Sequence, residues 1–239
     1  MNGPRVVSPA EWLAARKELL RKEKELTKTI DALNADRRRL PMVRIDKNYR
    51  FAGPDGEVGL ADLFEGRTQL VVQHLMLDPT MEQPCGSCSY MAGMVTDTIL
   101  SHLHKLDTTF AAVSRAPYPK VREVREARGW PFPWYSSADS EFNYDFHVSF
   151  DPAVPPTYNY RHGDELRATK DAWLLDDYSG DREGISCFLR DGDDVFHTYS
   201  TFGRGVEVMM PGLHLLDLTA LGRQEEWEEP KGRALAARG

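Results

Sequence analysis

The hydrophobic period changes along the chain, and the elements it predicts change with it. Apolar residues recur at helical spacing from Val7 to Leu40, where Ser8-Pro9-Ala10-Glu11 makes a capping box with proline at the first helical position. Val7 and Trp12 are placed to staple across that box, and Pro41 stops the helix. The expected arm is roughly 45–50 Å long. Trp12, Leu19, Leu26, Leu33 and Leu40 recur every seven residues, with companion positions mostly Arg, Glu or Ala. So narrow a seam packs along a domain or meets a second copy of itself; a full coiled coil would need a second apolar position in each heptad.

The period then changes. Tyr49-Arg50-Phe51, the turn residues Gly53-Pro54-Asp55-Gly56 and Glu57-Val58-Gly59-Leu60 read as a β-hairpin. Leu70 to Met76 is apolar enough for a central strand. A helix from Gly86 to about Lys105, a strand from Thr109 to Ser114 and a charged helix from Lys120 to Arg128 follow, the last closed by Gly129. Gly129-Trp130-Pro131-Phe132-Pro133-Trp134 is too rich in proline for anything but an extended segment. Glu141 to Phe146 reads as a short helix, and residues 149–184 lack clear periodicity, as expected of an insertion that covers a site or forms an interface. A second hairpin spans Ile185 to Ser200, a last helix from Val206 to Leu221 is broken near Pro211-Gly212, and the polar residues from Gln224 onward are expected to fray. The sum is an α/β chain with a mixed sheet: a helical arm over 1–41, a domain over 42–222 and a polar tail over 223–239.

Charge and composition narrow the function. A net charge of -7 with interleaved acids and bases argues against nucleic acid, whose affinity comes from clustered Lys and Arg. No apolar run reaches the 18 or so residues of a membrane span, and the N-terminus lacks the apolar stretch of a secretion signal, so a cytoplasmic setting is expected. In a reducing compartment, three cysteines with two in C-x-x-C spacing point to catalysis or metal binding rather than to a structural disulfide.

That pair, Cys85-Gly86-Ser87-Cys88, lies between a predicted strand and a predicted helix. At a helix start, free backbone N–H groups and the helix dipole favour a thiolate, the form that attacks a disulfide. Cys85 is the expected nucleophile and Cys88 the resolving thiol, with Gly86 and Ser87 leaving Cys85 open and tuning it little. No cofactor is required.

The hairpin into Val58-Gly59-Leu60-Ala61-Asp62-Leu63-Phe64-Glu65-Gly66, the strand Leu70 to Met76 and the C-x-x-C helix together resemble thioredoxin-fold proteins of the peroxiredoxin-like branch. More narrowly, four stretches resemble a bacterial family of thioredoxin-like proteins, domain of unknown function 899, often described as predicted dithiol-disulfide oxidoreductases. They are Val113-Ser114-Arg115-Ala116-Pro117, Phe142-Asn143-Tyr144-Asp145-Phe146, Phe188-Leu189-Arg190-Asp191-Gly192 and Val195-Phe196-His197-Thr198-Tyr199-Ser200. The resemblance implies a thioredoxin-like fold, a central mixed sheet flanked by helices, with a disulfide-containing small molecule or protein as substrate. Two departures qualify it. Pro79 and Thr80 stand at the wrong spacing from Cys85 for the peroxiredoxin motif Pro-x-x-x-Thr-x-x-Cys, which argues against peroxidase chemistry. Gly184-Ile185-Ser186 occupies the place of the thioredoxin cis-proline, so substrate docking differs.

Other residues admit two readings each. Arg115, at the C-terminal end of a strand, suits either a grip on a thiolate or anionic substrate or an ion pair with Asp or Glu. Trp130 and Trp134 suit either the wall of a substrate pocket or packing. His102 and His104 point to different helix faces, which argues against a zinc site. His74 is expected as a hydrogen-bonded core histidine and Cys187 as a small core residue, while His197 has no assignable partner. The leading expectation is a dithiol-disulfide oxidoreductase. The alternative is a non-catalytic binding module that dimerises through the N-terminal helix.

Overall fold

The computed structural model describes residues 4–231. Its helices and strands, in chain order, begin with α1 (Pro9–Arg39), β1 (Val43–Arg44), β2 (Arg50–Gly53), β3 (Gly56–Gly59) and β4 (Gln69–His74). Then come α2 (Gly86–Gly93), α3 (Asp97–Lys105), β5 (Thr108–Ser114), α4 (Tyr118–Arg128), β6 (Trp134–Ser136) and α5 (Phe142–Asp145). The remainder is β7 (Ser149–Phe150), β8 (Thr157–Tyr158), β9 (Arg161–His162), α6 (Gly163–Arg167), β10 (Gly180–Asp181), β11 (Gly184–Asp191), β12 (Asp194–Phe202) and α7 (Pro211–Leu216). The chain divides into two compact units, one from Pro41 to Met210 and one combining the residues up to Leu40 with those from Pro211 onward. The boundary expected at 222 thus lies inside the second segment of the latter unit.

In that unit α1 starts as its sequence dictates. Ser8 caps it, its hydroxyl accepting from the Glu11 N–H while the Glu11 carboxylate accepts from the Ser8 N–H. The helix ends at Arg39, before Pro41. The expected fraying after Gln224 is not what the described residues show. Arg223 is buried and donates to both carboxylate oxygens of Asp217 at 2.7 Å, and Glu228 accepts from the backbone of Arg223 and Glu225. These charge-assisted bonds tie the segment into a closed turn. Residues 232–239 of the expected tail lie outside the described part.

The larger unit is built on an eight-stranded sheet in the order β1-β12-β11-β4-β5-β6-β2-β3. β4, β5 and β6 run parallel, joined by helical crossovers, and the β11–β12 hairpin lies antiparallel beside β4. A βαβ unit followed by a β-hairpin, ordered β5-β4-β11-β12, is a thioredoxin-like arrangement. Strand alternation sorts the core onto two faces. Leu70 and Val72 of β4 join Phe51, Phe64, Phe142 and Phe188 on one face; Leu75 and Leu77 join Cys88, Met91, Phe132 and Trp134 on the other.

Two expectations are corrected here. The helix expected from Gly86 to Lys105 is broken into α2 and α3, because Gly93 weakens it and the Met94 and Val95 N–H groups bond tightly back to Met91 and Ala92. Extended Thr96 then caps a new start. Residues 149–184, in which no clear periodicity predicts an element, carry short strands, a helix and a core of their own. Their own small core of Phe150, Tyr158, Leu166 and Leu174 packs on Val148 and Phe202, which flank Gly184 on the Phe188 side of β11.

Candidate active site

The site is made where β4 runs out. Beyond His74, Leu75 and Leu77 are buried, then Asp78 turns the chain: the Asp78 carboxylate accepts from the Thr80 N–H at 2.7 Å, the Thr80 hydroxyl at 2.6 Å and the Met81 N–H at 3.2 Å. Pro84 delivers Cys85 back to the strand end, where its N–H donates to the Met76 carbonyl at 3.1 Å. Cys85 is thereby the N-cap of α2, with extended backbone angles (φ -49, ψ 137), and Cys88 is one turn in. The two thiols are in unlike surroundings. Cys85 is partly exposed, whereas Cys88 is completely buried among Leu75, Met91, Ala92 and Ile185. The buried Gln73 amide donates to the Cys88 carbonyl at 3.1 Å and fixes the helix turn to the strand.

Their acidities diverge accordingly. The Cys88 thiol hydrogen-bonds Cys85, and that bond, assisted by the Ser87 hydroxyl and the Ser87 and Cys88 backbone N–H groups, outweighs the desolvation that opposes it; Cys85 is held down to about 4. The same bond and burial push Cys88 far above the ordinary thiol range. Ser87 corrects its sequence reading: its hydroxyl stands 3.2 Å from Cys85 Sγ and helps stabilise the thiolate. Cys85 is thus a thiolate at neutral pH, partly open to solvent, with an undissociated partner thiol on the next helical turn.

The remaining candidates lie elsewhere. Arg115 is spent on other groups: Nε donates to Asp181 Oδ1 at 2.7 Å, Nη1 donates to the Tyr144 hydroxyl at 2.8 Å, and the guanidinium lies 5.2 Å from the Tyr144 ring centroid. Of its two readings the ion pair is the one present. Trp130 and Trp134 meet at 5.5 Å in the apolar cluster that holds Cys88, and the Trp134 indole N–H donates to Ser114 Oγ at 2.9 Å. Both indoles are buried, so they support the cysteine helix from beneath and present no open wall. Cys187 lies on the Cys88 side of β11, its thiol pushed up to about 11 by burial. Among the described residues no three His, Cys, Asp or Glu side chains converge as a metal site, and no helix is long and apolar enough to cross a membrane.

One polar network escaped the sequence. His74 is a buried, hydrogen-bonded core histidine as expected, but its partners form a chain. His74 Nε2 lies 2.8 Å from Ser186 Oγ, Ser186 Oγ lies 2.8 Å from Ser200 Oγ, and Ser200 Oγ lies 2.7 Å from His197 Nε2. The signal was the cross-strand pair Ser186–Ser200 within the late hairpin, two buried hydroxyls facing each other.

No curated protein matches the chain. Solved structures of similar shape include a cysteine-to-serine mutant of PrxQ from Xylella fastidiosa, at 14% identity and TM-score 0.44, covering 73% of this chain and 94% of that one. Peroxiredoxin Q from Xanthomonas campestris matches at 12% identity and TM-score 0.45, covering 74% of this chain and 97% of that one. Peroxidoxin BcpB from Mycobacterium tuberculosis matches at 13% and 0.44, over 74% and 97%. The model of the family described as bacterial protein of unknown function (DUF899) matches residues 1–236, and the chain belongs to that family.

Proposed function

We propose that this protein is a thiol-disulfide oxidoreductase that works in a reducing compartment such as the cytoplasm. The observation that carries the reading is the asymmetry of the pair: a partly exposed Cys85 held as thiolate at the start of α2, and a fully buried Cys88 that stays protonated. The Cys85 thiolate attacks one sulfur of a substrate disulfide, forms a mixed disulfide and releases the first substrate thiolate. Cys88 then loses its proton and attacks Cys85 Sγ, releasing the second substrate thiolate and leaving a Cys85–Cys88 disulfide. The substrate gains two electrons and the dithiol loses two. The wrong spacing of Pro79 and Thr80 from Cys85 favours a disulfide over a peroxide as oxidant.

An insulin-reduction assay with dithiothreitol, paired with thiol titration, tests the reading. Wild type is expected to reduce insulin and to lose two titratable thiols on oxidation, and Cys85→Ser to do neither. Equal activity in both proteins would overturn it. Self-association along the seam Trp12, Leu19, Leu26, Leu33 and Leu40 of α1 belongs to the same proposal. Sedimentation of the full chain should show a dimer that Leu26→Arg dissociates; a monomeric wild type excludes it.

A further inference from the structure

The long helix α1 carries a regular apolar stripe that the fold leaves in water. None of its 31 residues is buried, and Trp12, Leu19, Leu26, Leu33 and, just past its end, Leu40 are between 49% and 58% exposed. Most helices owe their stability to packing of such a face, so an open stripe of this length implies a partner surface. Its seven-residue repeat is the spacing at which a second helix packs.

The positions beside the stripe decide which helix fits. Four residues beyond each stripe residue, on the same face, stand Arg16, Glu23, Ile30 and Arg37. In a two-stranded coiled coil these are the second apolar row, yet only Ile30 is apolar. Arg16 Nη2 donates to Glu23 Oε2 at 2.8 Å across one heptad, so both charges lie along the seam itself. Two copies laid parallel and in register would set Arg16, Glu23 and Arg37 each against its own counterpart, with like charges face to face. Turning one helix round removes all three of these clashes. With Leu26 set against the partner's Ile30, and Ile30 against the partner's Leu26, the middle of the pair is wholly apolar. Glu23 then comes within one helical turn of the partner's Arg37, so each Glu23 serves one arginine from either helix. On the edge of the seam, Lys22 comes beside the partner's Asp36, and by symmetry this happens twice. The aliphatic stems of Arg16 and Arg37 cover the leucines they meet, while their guanidinium groups reach water.

We propose that α1 pairs antiparallel with α1 of a second copy of this chain, about a two-fold axis beside Lys28, a geometry that rests on the self-association read above. A two-fold axis makes the stripe its own partner surface, and one sequence supplies both halves. The apolar row holds the pair together, and the charged row sets its direction.

Nitroxide labels read that direction in the full chain. Ala14 and Lys28 stand two positions beyond Trp12 and Leu26, off the seam. In a Cys85→Ser/Cys88→Ser/Cys187→Ser background, Ala14→Cys and Lys28→Cys each carry one label. Pulsed dipolar spectroscopy is expected to give a distance at residue 14 about 20 Å longer than at residue 28. The two copies of residue 14 lie about 42 Å apart along the axis, while those of residue 28 lie level. Equal distances at the two positions mean a parallel pair, which overturns the proposal and leaves self-association standing. A second measurement leaves every cysteine in place. Lys22→Glu sets like charges together at two symmetric places and is expected to raise the dimer dissociation constant about fivefold in sedimentation equilibrium. Lys22→Glu combined with Asp36→Lys is expected to return it to the wild-type value. In a parallel pair these residues lie about 21 Å apart along the axis and their effects add. Additive losses therefore overturn the proposal. A monomeric wild type, its stripe met by another segment of its own chain, a different protein or a lipid surface, overturns both the direction and the self-association.

Discussion

Arg115 Nε and Asp181 Oδ1 meet at 2.7 Å in a buried ion pair that fastens the end of β5 to β10. The Asp181 side chain is 2% exposed and also accepts from the Ser149 hydroxyl at 2.6 Å. Burial dominates its titration and raises its pKa, with Ser149 and Arg115 opposing the rise. Removing one partner of such a pair strands the other, which costs more than the pair contributes. Arg115→Ala is expected to destabilise the protein by about 3–5 kcal/mol in urea unfolding. Adding Asp181→Asn should recover part of that loss.

The acidity of Cys85 is directly measurable. With its thiol held down to about 4, alkylation by iodoacetamide should be nearly independent of pH from 6 to 8 and fall only as pH approaches that value. The hydrogen bond from Cys88 is the first cause, so Cys88→Ala should return Cys85 toward the ordinary thiol range. At pH 6 the variant is expected to alkylate about tenfold more slowly than wild type. Equal rates would mean that Cys88 does not hold the thiolate.

Acid stability should report on His74. Burial, aided by the charge of His197, lowers its pKa to about 3 from an ordinary value near 6.5. The unfolded chain therefore binds the proton that the folded chain refuses throughout that window. Stability is full above pH 6.5 and falls as pH drops toward 3, by at most about 1.4 kcal/mol per pH unit from this group. Melting temperatures across that range should show the loss, and His74→Gln should flatten it.

Gly184 is a site where size alone matters. A Cβ there would lie 3.0 Å from Phe202 Cδ1 and 3.0 Å from Val148 Cγ1, both ring or branched carbons in a packed cluster. Gly184→Ala should cost about 1–3 kcal/mol through overpacking. The midpoint of denaturant unfolding measures it.

Much of this architecture was legible because single residues announce it. Ser8, Pro9 and Glu11 specify where α1 begins, Gly129 in a left-handed conformation closes α4, and Asp191 to Asp194 turn the late hairpin. The lowered pKa of Cys85 was legible because the residue stands at the start of a helix, where free N–H groups favour a thiolate. What the sequence hid depends on tertiary placement. The break after Gly93 is a contest between helix propensity and the bonds made by Met94 and Val95. The serine–histidine chain carries no local motif, and it exists only through the pairing of β11 with β4 and β12. The fate of Arg115 was set by Asp181, 66 residues away.

Gln73 and His74 are neighbours on β4, yet their side chains serve opposite faces: Gln73 reaches the Cys88 carbonyl, and His74 joins the serine–histidine chain. The strand is an insulating wall between a thiol compartment and an imidazole compartment. A slip of one residue in the pairing of β4 with β11 would exchange the two compartments' contents and place a histidine under the cysteine helix. Strand register is, in this molecule, what decides which side chain lies under the cysteine helix.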